Sequence, residues 1–191
     1  PPGACQVFRP NGPGTTFDIN LEGECQGELP EYVAQFQNGL ITITNPIERT
    51  FPNGYTMSSW VEYTPPVTVC GFGPGIENSS GLPRGGVVLS CNGEPRPYGE
   101  VLTLTYVHAD ALPSNVLQFS QWYFLAVSWN AENRNVSFYI NGVLVANTIA
   151  DFGPNSVTLG GEPYYYVIGG GANSPYLGYT TFNGFIANAQ M

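Results

Sequence analysis

The sequence predicts an all-β protein, an antiparallel sandwich or jelly roll of two sheets. Three observations indicate this fold class. No apolar pattern with a helical period extends over a useful length. Glycine and proline, 24 and 17 of the 191 residues, interrupt most segments. Short runs of β-branched and aromatic residues recur roughly every 10–15 residues with turn-forming residues between them, which is typical of such sandwiches.

Eleven runs read as strands. In chain order they are VAQFQ (33–37), GLITITN (39–45), YTMSSWVEYT (55–64), GGVVLSC (85–91), VLTLTYVHA (101–109), WYFLAVSW (122–129), VSFYI (136–140), VLVAN (143–147), SVTLGG (156–161), YYYVIGG (164–170) and FNGFIANAQ (182–190). Residues 71–86 are rich in Gly, Pro and Ser and are predicted to form a hairpin loop. No linker divides the chain. We therefore expect one domain, with a Pro-rich connector and first strand over 1–35 and the jelly-roll body over 36–191.

The segment from Gln121 to Thr148 predicts a central hairpin. Asn141-Gly142 favours a two-residue type I′ turn, because both central positions need positive φ. Such a turn pairs Ile140 with Val143, Phe138 with Val145, and Tyr139 with Leu144. The preceding run WYFLAVSW is apolar on both faces, which predicts a strand in the middle of its sheet that is buried on both sides.

The charge balance excludes some partners. Fourteen carboxylates oppose five arginines and no lysine, for a net charge of −9. Nucleic acids and anionic membrane surfaces both require clustered cations, so we expect neither as a partner. No stretch approaches the roughly 20 consecutive apolar residues of a transmembrane helix, so we expect no membrane insertion. The chain begins Pro-Pro rather than with Met, and we interpret it as a processed or excised piece of a longer precursor.

Four cysteines suggest an oxidising compartment. Four cysteines allow three pairings, and nearest-neighbour pairing joins Cys5 to Cys25 and Cys70 to Cys91. Each loop of about 20 residues would then stabilise the fold by about 3 kcal/mol. Four buried free thiols are the alternative. No Cys-x-x-Cys or Cys/His spacing indicates zinc. Disulfides would place the protein outside the cytosol, so we expect it to be secreted.

Two Asn-x-Ser tripeptides are consistent with secretion. Asn78-Ser79-Ser80 and Asn135-Val136-Ser137 are acceptor sequences for N-glycosylation. Asn78 lies in the predicted loop between Cys70 and Cys91, which makes it the stronger candidate.

The order of the motifs resembles a known superfamily. YTMSSWVEY (55–63), GVVLS (86–90), VLTLTY (101–106), QWYFLAVSW (121–129), NVSFYINGVLVA (135–146), VTLGG (157–161) and FNGFIANAQ (182–190) follow one another as in the concanavalin A-like, laminin G-like jelly rolls. The resemblance implies a two-sheet jelly roll. It implies a function among calcium-dependent binding, sugar binding, adhesion and glycan hydrolysis, because one fold hosts unrelated activities.

Catalysis is not expected. Glycanases of this superfamily carry Glu-x-Asp-x-x-Glu on one strand, and the chain has no such set. Glu22 and Glu24 are two residues apart, but their flanks read as loop. The single histidine, His108, lies two residues from Asp110, and a surface pair at a strand end explains it better than acid–base chemistry.

A cofactor is not expected either, although calcium stays open. Loop oxygens from Asp110, Asp151, Asn155 and Glu162 are the candidate ligands. The closing strand carries Ile-Ala-Asn-Ala (186–189) where relatives by resemblance frequently carry Ile-Asp-Asp-Val, which argues against the superfamily's calcium site.

Tyrosine-rich loops are the predicted binding surface. EPYYYVIGG (162–170) and NSPYLGYTTF (173–182) place Tyr164, Tyr166, Tyr176 and Tyr179 near loops, where an apolar ring with a polar tip suits sugars or wet protein interfaces. The alternative is that these rings only cover a weakly charged surface. We therefore predict a secreted, non-catalytic adhesion or structural module that contacts carbohydrate or extracellular protein. A self-associating filament or coat subunit is the first alternative, and a glycan-degrading enzyme is the second.

Overall fold

The computed structural model describes residues 7–10, 17–20, 33–37, 41–43, 51, 53–65, 71–78, 83–90, 94–102, 108–114, 116–152, 164–169 and 182–190. Every regular element in these ranges is a β-strand. In chain order the strands are β1 (Val7–Pro10), β2 (Phe17–Asn20), β3 (Ala34–Gln37), β4 (Ile41–Ile43), β5 (Gly54–Tyr63), β6 (Gly71–Asn78), β7 (Pro83–Ser90), β8 (Tyr98–Leu102), β9 (His108–Ala111), β10 (Trp122–Asn130), β11 (Asn135–Ile140), β12 (Val143–Ile149), β13 (Tyr164–Ile168) and β14 (Asn183–Gln190).

Two six-stranded antiparallel sheets form the sandwich. Sheet I has the order β12-β11-β10-β5-β14-β3, and sheet II has the order β4-β13-β6-β7-β8-β9. Strands β1 and β2 pair separately. This arrangement confirms the predicted all-β jelly-roll sandwich. In the described part of the chain, no helix has the length and apolar character needed to cross a membrane.

The core lies between the two sheets. Sheet I contributes alternate side chains of its central strands, and sheet II contributes facing aliphatic residues. The most deeply buried large side chains are Met57, Val61, Tyr63, Ile76, Leu89, Leu125, Trp129, Phe138 and Ile168. The register of a strand in this sandwich is therefore specified by which alternate set enters the core.

The predicted hairpin forms, with one change of register. Asn141 and Gly142 have φ angles of 52° and 78°, as a type I′ turn requires. Ile140 pairs with Val143 and Tyr139 with Leu144, as predicted. Phe138, however, pairs with Ala146 rather than Val145, because a bulge inserts one residue into β12. Both Val145 and Ala146 then pack against the core.

Sheet II departs from prediction in two places. Residues 71–78, predicted as loop, form β6, which pairs with β13 on one side and β7 on the other. The run VLTLTYVHA, predicted as one strand, contributes to both β8 and β9, which pair antiparallel with Leu102 opposite His108. Apolar composition alone does not reveal a reversal of direction inside such a run.

The N-terminal segment, predicted to hold a connector and a first strand, contains a pair of strands. Val7–Pro10 pairs with Phe17–Asn20, so this part of the expected connector forms a two-stranded ladder. The predicted strand SVTLGG (156–161) lies outside the described residues.

Candidate functional site

An aromatic surface lies on the outer face of sheet I. Along β10, Tyr123, Leu125, Val127 and Trp129 enter the core. The alternate residues Trp122 and Phe124 therefore project from the opposite face, where both are partly exposed. Trp60 of β5 and Phe185 of β14 project from the same face and are also partly exposed. We call Trp60, Trp122, Phe124 and Phe185 the aromatic band.

The band spans three adjacent strands. Phe124 is opposite Trp60, and their ring centroids are 5.6 Å apart. Trp122 is opposite Glu62, which is opposite Phe185. The Trp122 and Phe185 rings nevertheless approach to 6.4 Å across the strand that carries Glu62. Two strand spacings and two residue steps make the band about 10 Å by 7 Å, the area of one or two pyranose rings.

Backbone contacts at the start of β10 hold the band. The Asn141 side-chain oxygen accepts a hydrogen bond from the Phe124 amide at 2.9 Å, and the Asn141 amide donates to the Phe124 carbonyl at 2.7 Å. The Ser120 amide donates to the Tyr63 carbonyl at 3.0 Å. The tight turn after β11 thus positions an aromatic residue of β10.

The other side of the band is held by β14. The Thr64 amide donates to the Asn183 carbonyl at 3.1 Å, and the Asn183 side-chain nitrogen donates to the Thr64 carbonyl at 3.2 Å. Gly184 has a φ of 150°, and a Cβ there would fall 2.2 Å from the Glu62 carbonyl oxygen. A glycine at this position therefore lets β14 approach β5 closely enough to bring Phe185 next to the other rings of the band.

Polar side chains continue the same face. Thr56, Ser128, Ser137 and Asn147 are in register across β5, β10, β11 and β12. The Thr56 hydroxyl donates to the Ser128 hydroxyl at 3.2 Å. This row lies four residues along β10 from Phe124, about 13 Å away. The outer face therefore offers flat apolar rings at one end and hydroxyl and amide groups at the other.

Glu62 is the acidic group within the band. It is partly buried between Trp122 and Phe185 in the strand register. No hydrogen bond or ion pair joins its carboxylate to any residue in the described ranges. With respect to the described residues, the carboxylate oxygens keep their capacity to accept hydrogen bonds from a bound molecule.

Cationic side chains are absent from the band itself. Among the described side chains, the arginines are Arg96 and Arg134. Arg96 forms an ion pair with Glu94 at 2.9 Å in the segment before β8. Arg134 lies in the turn after β10, beyond Asn130, at the end of the strand opposite Trp122.

The predicted tyrosines are placed in sheet II or lie outside the described residues. Tyr166 of β13 is partly buried and packs against the core. Tyr164 begins β13, and its side chain is not described. Tyr176 and Tyr179 lie outside the described residues. A ligand-binding role for the four tyrosines stays a prediction.

The predicted modification sites are only partly described. Cys5, Cys25, Cys70 and Cys91 all lie outside the described residues. Asn78 is the last residue of β6. Asn135 begins β11, and its side-chain nitrogen donates to the Ser137 hydroxyl at 2.8 Å. Glycosylation and disulfide pairing stay predictions.

The residues considered for catalysis or calcium lie mainly in sheet II. His108 and Asp110 are both in β9, and Asp110 is directly opposite Glu100. Glu100 is only 5% exposed. Asp151 is exposed after β12, while Glu22, Glu24, Asn155 and Glu162 lie outside the described residues. No group of three or more acidic, His or Cys side chains in the described ranges is arranged to hold a metal ion.

Sequence reasoning missed the aromatic band. It interpreted both faces of WYFLAVSW as buried, whereas one face is the partly exposed outer surface. A signal exists in β5, where Trp60 alternates with Thr56, Ser58 and Glu62 on an otherwise polar face. A large aromatic side chain on a polar face is an indication of a binding surface.

A family model for the concanavalin A-like lectin/glucanase superfamily matches residues 37–191. The chain therefore belongs to this superfamily, which confirms the resemblance seen in the sequence. A search of curated proteins found no match.

Solved structures with low sequence identity share the fold. A heptameric SAP-like pentraxin from Limulus polyphemus aligns with a TM-score of 0.60 at 11% identity, covering 83% of this chain and 73% of the pentraxin. The CBM40 module of a Ruminococcus gnavus sialidase, bound to α2,3-sialyllactose, has a TM-score of 0.54 at 11% identity. The alignment covers 82% of this chain and 89% of the module. A NanB sialidase variant from Streptococcus pneumoniae has a TM-score of 0.55 at 14% identity, and the alignment covers 81% of this chain but only 25% of the sialidase.

Proposed function

We propose that this protein is a non-catalytic carbohydrate-binding module with an extracellular adhesion or structural role, and that the aromatic band binds the glycan. The observation that carries the proposal is the band itself: Trp60, Trp122, Phe124 and Phe185 are gathered on one partly exposed sheet face with Glu62 between two of them. Several large aromatic groups gathered on a partly exposed sheet face are typical of an interaction surface.

The chemistry of the face suits a glycan. A sugar ring presents an apolar C–H face, which packs on Trp and Phe, and a rim of hydroxyls, which needs polar partners. Glu62 provides acceptors between the rings, and the exposed or partly exposed side chains of Thr56, Ser128 and Asn147 provide donors and acceptors about 13 Å further along the same face. The sialyllactose-bound module from Ruminococcus gnavus, which shares the fold, supports glycan as the ligand class.

The carboxylate geometry supports a non-catalytic role. Glu100 and Asp110 are the directly opposed acidic pair in the described strands, and such cross-strand Cβ atoms are about 5 Å apart. Retaining glycosidases hold two carboxyl groups about 5–5.5 Å apart, so this opposed pair is the one to consider for catalysis. Glu100 is nevertheless 5% exposed, so a glycosidic bond does not reach it without rearrangement. Detectable glycan hydrolysis that Glu100→Gln abolishes would contradict this part of the proposal.

Secretion and glycosylation belong to the same proposal. Four cysteines and two Asn-x-Ser sequences support a disulfide-bonded extracellular glycoprotein. Mass spectrometry of protein secreted by a eukaryotic host, with and without reduction and deglycosylation, tests the disulfide bonds and the two glycosylation sites. Free thiols at all four cysteines would overturn the extracellular assignment.

The binding site is tested by removing single rings. Trp60→Ala and Trp122→Ala should each weaken binding to a retained polysaccharide by about tenfold or more, because each loses a stacking surface. Affinity electrophoresis in gels containing soluble polysaccharides measures the change. Phe119→Ala is the matched control, since Phe119 is 41% exposed but lies in the turn before β10, outside the band.

The same measurement distinguishes the band from the predicted tyrosine loops. Tyr176→Ala and Tyr179→Ala should migrate through the polysaccharide gel as slowly as the parent protein does. If these substitutions remove binding while Trp60→Ala and Trp122→Ala do not, the ligand binds at the tyrosine loops and the proposal for the band is wrong.

A second candidate function, self-association, is favoured by strand β12. This edge strand of sheet I is seven residues long and carries no charge in a chain of net charge −9. Val143, Leu144 and Ile149 are 63%, 51% and 56% exposed. An uncharged, β-branched edge accepts another strand. Pairing of β12 with β12 of a second copy is isologous and gives a closed dimer rather than an open filament.

Ile149→Lys tests this association, because a charge on the edge opposes pairing. We expect a dimer of the unmodified protein by light scattering at micromolar concentration and a monomer of the Ile149→Lys variant. Val116→Lys, at an exposed position outside the strands, should remain dimeric. A monomeric parent protein, or open polymers, would contradict the proposed pairing.

A further inference from the structure

We infer that the aromatic band selects uncharged glycans, and that Glu62 excludes sugars bearing carboxylate or sulfate groups. The inference rests on the proposed function, since it names the class of glycan that the same surface takes. It also distinguishes this chain from the structurally similar module that was solved with sialyllactose, an acidic sugar.

The negative charge of Glu62 disfavours an acidic sugar on the band. Glu62 lies between Trp122 and Phe185 in the register of the sheet, so a sugar stacked on either ring lies within a few ångströms of its carboxylate. An acidic group on that sugar would be held close to a like charge on a partly desolvated surface. A hydroxyl at the same place would instead donate a hydrogen bond to Glu62.

Neither of the two arginines whose side chains are described, Arg96 and Arg134, compensates the charge of Glu62. Arg134 follows the far end of β10, and Trp122 to Asn130 is eight residue steps, about 26 Å of strand. That distance exceeds the Debye length at physiological salt, so Arg134 does not offset Glu62. Arg96 is already paired with Glu94. The chain's net charge of −9 adds a general repulsion of acidic polymers.

Within the described part of the chain, Glu62 has no polar contact that would give it a structural role. No hydrogen bond or ion pair links it to another residue of the described ranges, whereas other side chains at strand ends are fixed by such contacts. Asn183, for example, donates to the carbonyls of Thr64 and Pro65. A partly buried carboxylate placed between two rings is thus available to a ligand. Glu62 is therefore a specificity-determining residue of the band.

The experiment compares matched neutral and acidic probes. Galactan against polygalacturonate, xylan against heparin, and lactose against α2,3-sialyllactose are tested with the full chain by affinity electrophoresis for the polymers and calorimetry for the oligosaccharides. For any pair that binds, we expect the dissociation constant of the neutral member to be lower than that of the acidic member by about tenfold or more at 0.15 M salt.

Two variants assign the selectivity. Glu62→Gln keeps a hydrogen-bonding group and removes the charge, so it should retain neutral binding and reduce the discrimination to about threefold or less. Glu132→Gln removes the same charge from the turn after β10, where Glu132 is exposed. This control should keep the discrimination of the parent protein, which separates a local effect of Glu62 from the change in net charge.

The outcomes are distinguishable. Equal or tighter binding of the acidic members overturns the inference and leaves the proposed function intact. Unchanged discrimination in Glu62→Gln also overturns it, because the selectivity then arises elsewhere. Absence of binding to every probe overturns the proposed function and the inference with it.

Discussion

Two core tyrosines differ in how their hydroxyl groups are satisfied. The Tyr63 hydroxyl donates a hydrogen bond to the Leu89 carbonyl across the sandwich at 2.7 Å. The buried Tyr55 hydroxyl has no hydrogen-bond partner among the described residues. The Tyr55 ring itself packs well, with centroids 5.1 Å from Phe51 and 5.9 Å from Trp129. Identical residue types eight positions apart therefore contribute differently to stability.

We expect Tyr63→Phe to lower the free energy of unfolding by about 1–2 kcal/mol, because it leaves the Leu89 carbonyl unpaired. Tyr55→Phe should be neutral or stabilise the fold by up to about 1 kcal/mol, because it removes an unpaired buried hydroxyl and keeps the ring contacts. Urea denaturation of the two variants measures both values. A larger loss in Tyr55→Phe than in Tyr63→Phe would show that the Tyr55 hydroxyl has a partner in solution.

At the scale of elements, glycines in two strand–turn settings serve different purposes. Gly142 ends the type I′ turn with positive φ, and a Cβ at this position would meet nothing within 4 Å. Gly99 of β8 has no unusual φ, but a Cβ there would fall 2.5 Å from a Val127 methyl carbon and 3.3 Å from the Phe138 ring. Gly142 is required because the turn needs a positive φ, and Gly99 is required because the two sheets leave no room for a Cβ there.

Gly142→Ala should therefore cost only about 1 kcal/mol of backbone strain. Gly99→Ala should cost more, about 2–3 kcal/mol, because it overpacks the core. A double-mutant cycle checks the cause: Val127→Ala should be less destabilising in the Gly99→Ala background than alone, since it relieves the clash. Additive effects of Gly99→Ala and Val127→Ala on the free energy of unfolding would contradict the assigned contact.

For the whole molecule, buried tyrosines link stability to alkaline pH. Burial raises the pKa of Tyr55, and the nearby Glu100 charge raises it further. Burial also raises the pKa of Tyr63 well above its ordinary value. Above pH 10 the unfolded chain releases these protons while the folded chain keeps them, so the unfolded state binds fewer protons and stability falls as pH rises.

We expect the contribution of these tyrosines to be fully present below about pH 9 and to be lost progressively above pH 10. Chemical denaturation between pH 7 and pH 11.5 measures the slope. The double variant Tyr55→Phe, Tyr63→Phe should show a shallower decline than the parent protein over the same window. Parallel curves would place the alkaline sensitivity in other groups.

Local sequence was sufficient wherever neighbouring residues decide the structure. Asn141-Gly142 predicted the β11–β12 turn because few other residues adopt positive φ at two consecutive positions. The runs YTMSSWVEYT and WYFLAVSW, rich in aromatic and β-branched residues, predicted β5 and β10 correctly for the same local reason. The predicted pairing of Phe138 with Val145 was wrong, because Phe138 pairs with Ala146. The bulge that places both Val145 and Ala146 on the core depends on packing between the sheets.

Strand β6 illustrates a second limit of prediction. Its Gly- and Pro-rich sequence has weak strand preference, yet β13 and β7 pair with it on both sides and enclose it. Tertiary pairing overrides weak local preference when neighbouring strands supply the hydrogen bonds. The division between β8 and β9 was hidden because the run VLTLTYVHA is apolar almost throughout and carries no Gly, Pro or Asn to mark a change of direction.

The sequence by itself determined the all-β class, the superfamily motifs, the tight turn and the acidic character of this protein. Only the tertiary structure decided that Trp60, Trp122, Phe124 and Phe185 form one band around Glu62. The physical reason is that alternation divides a strand into two faces but does not state which face the second sheet covers. That choice depends on how distant strands stack, and it turned one apolar face of β10 into the core and the other into a partly exposed outer surface.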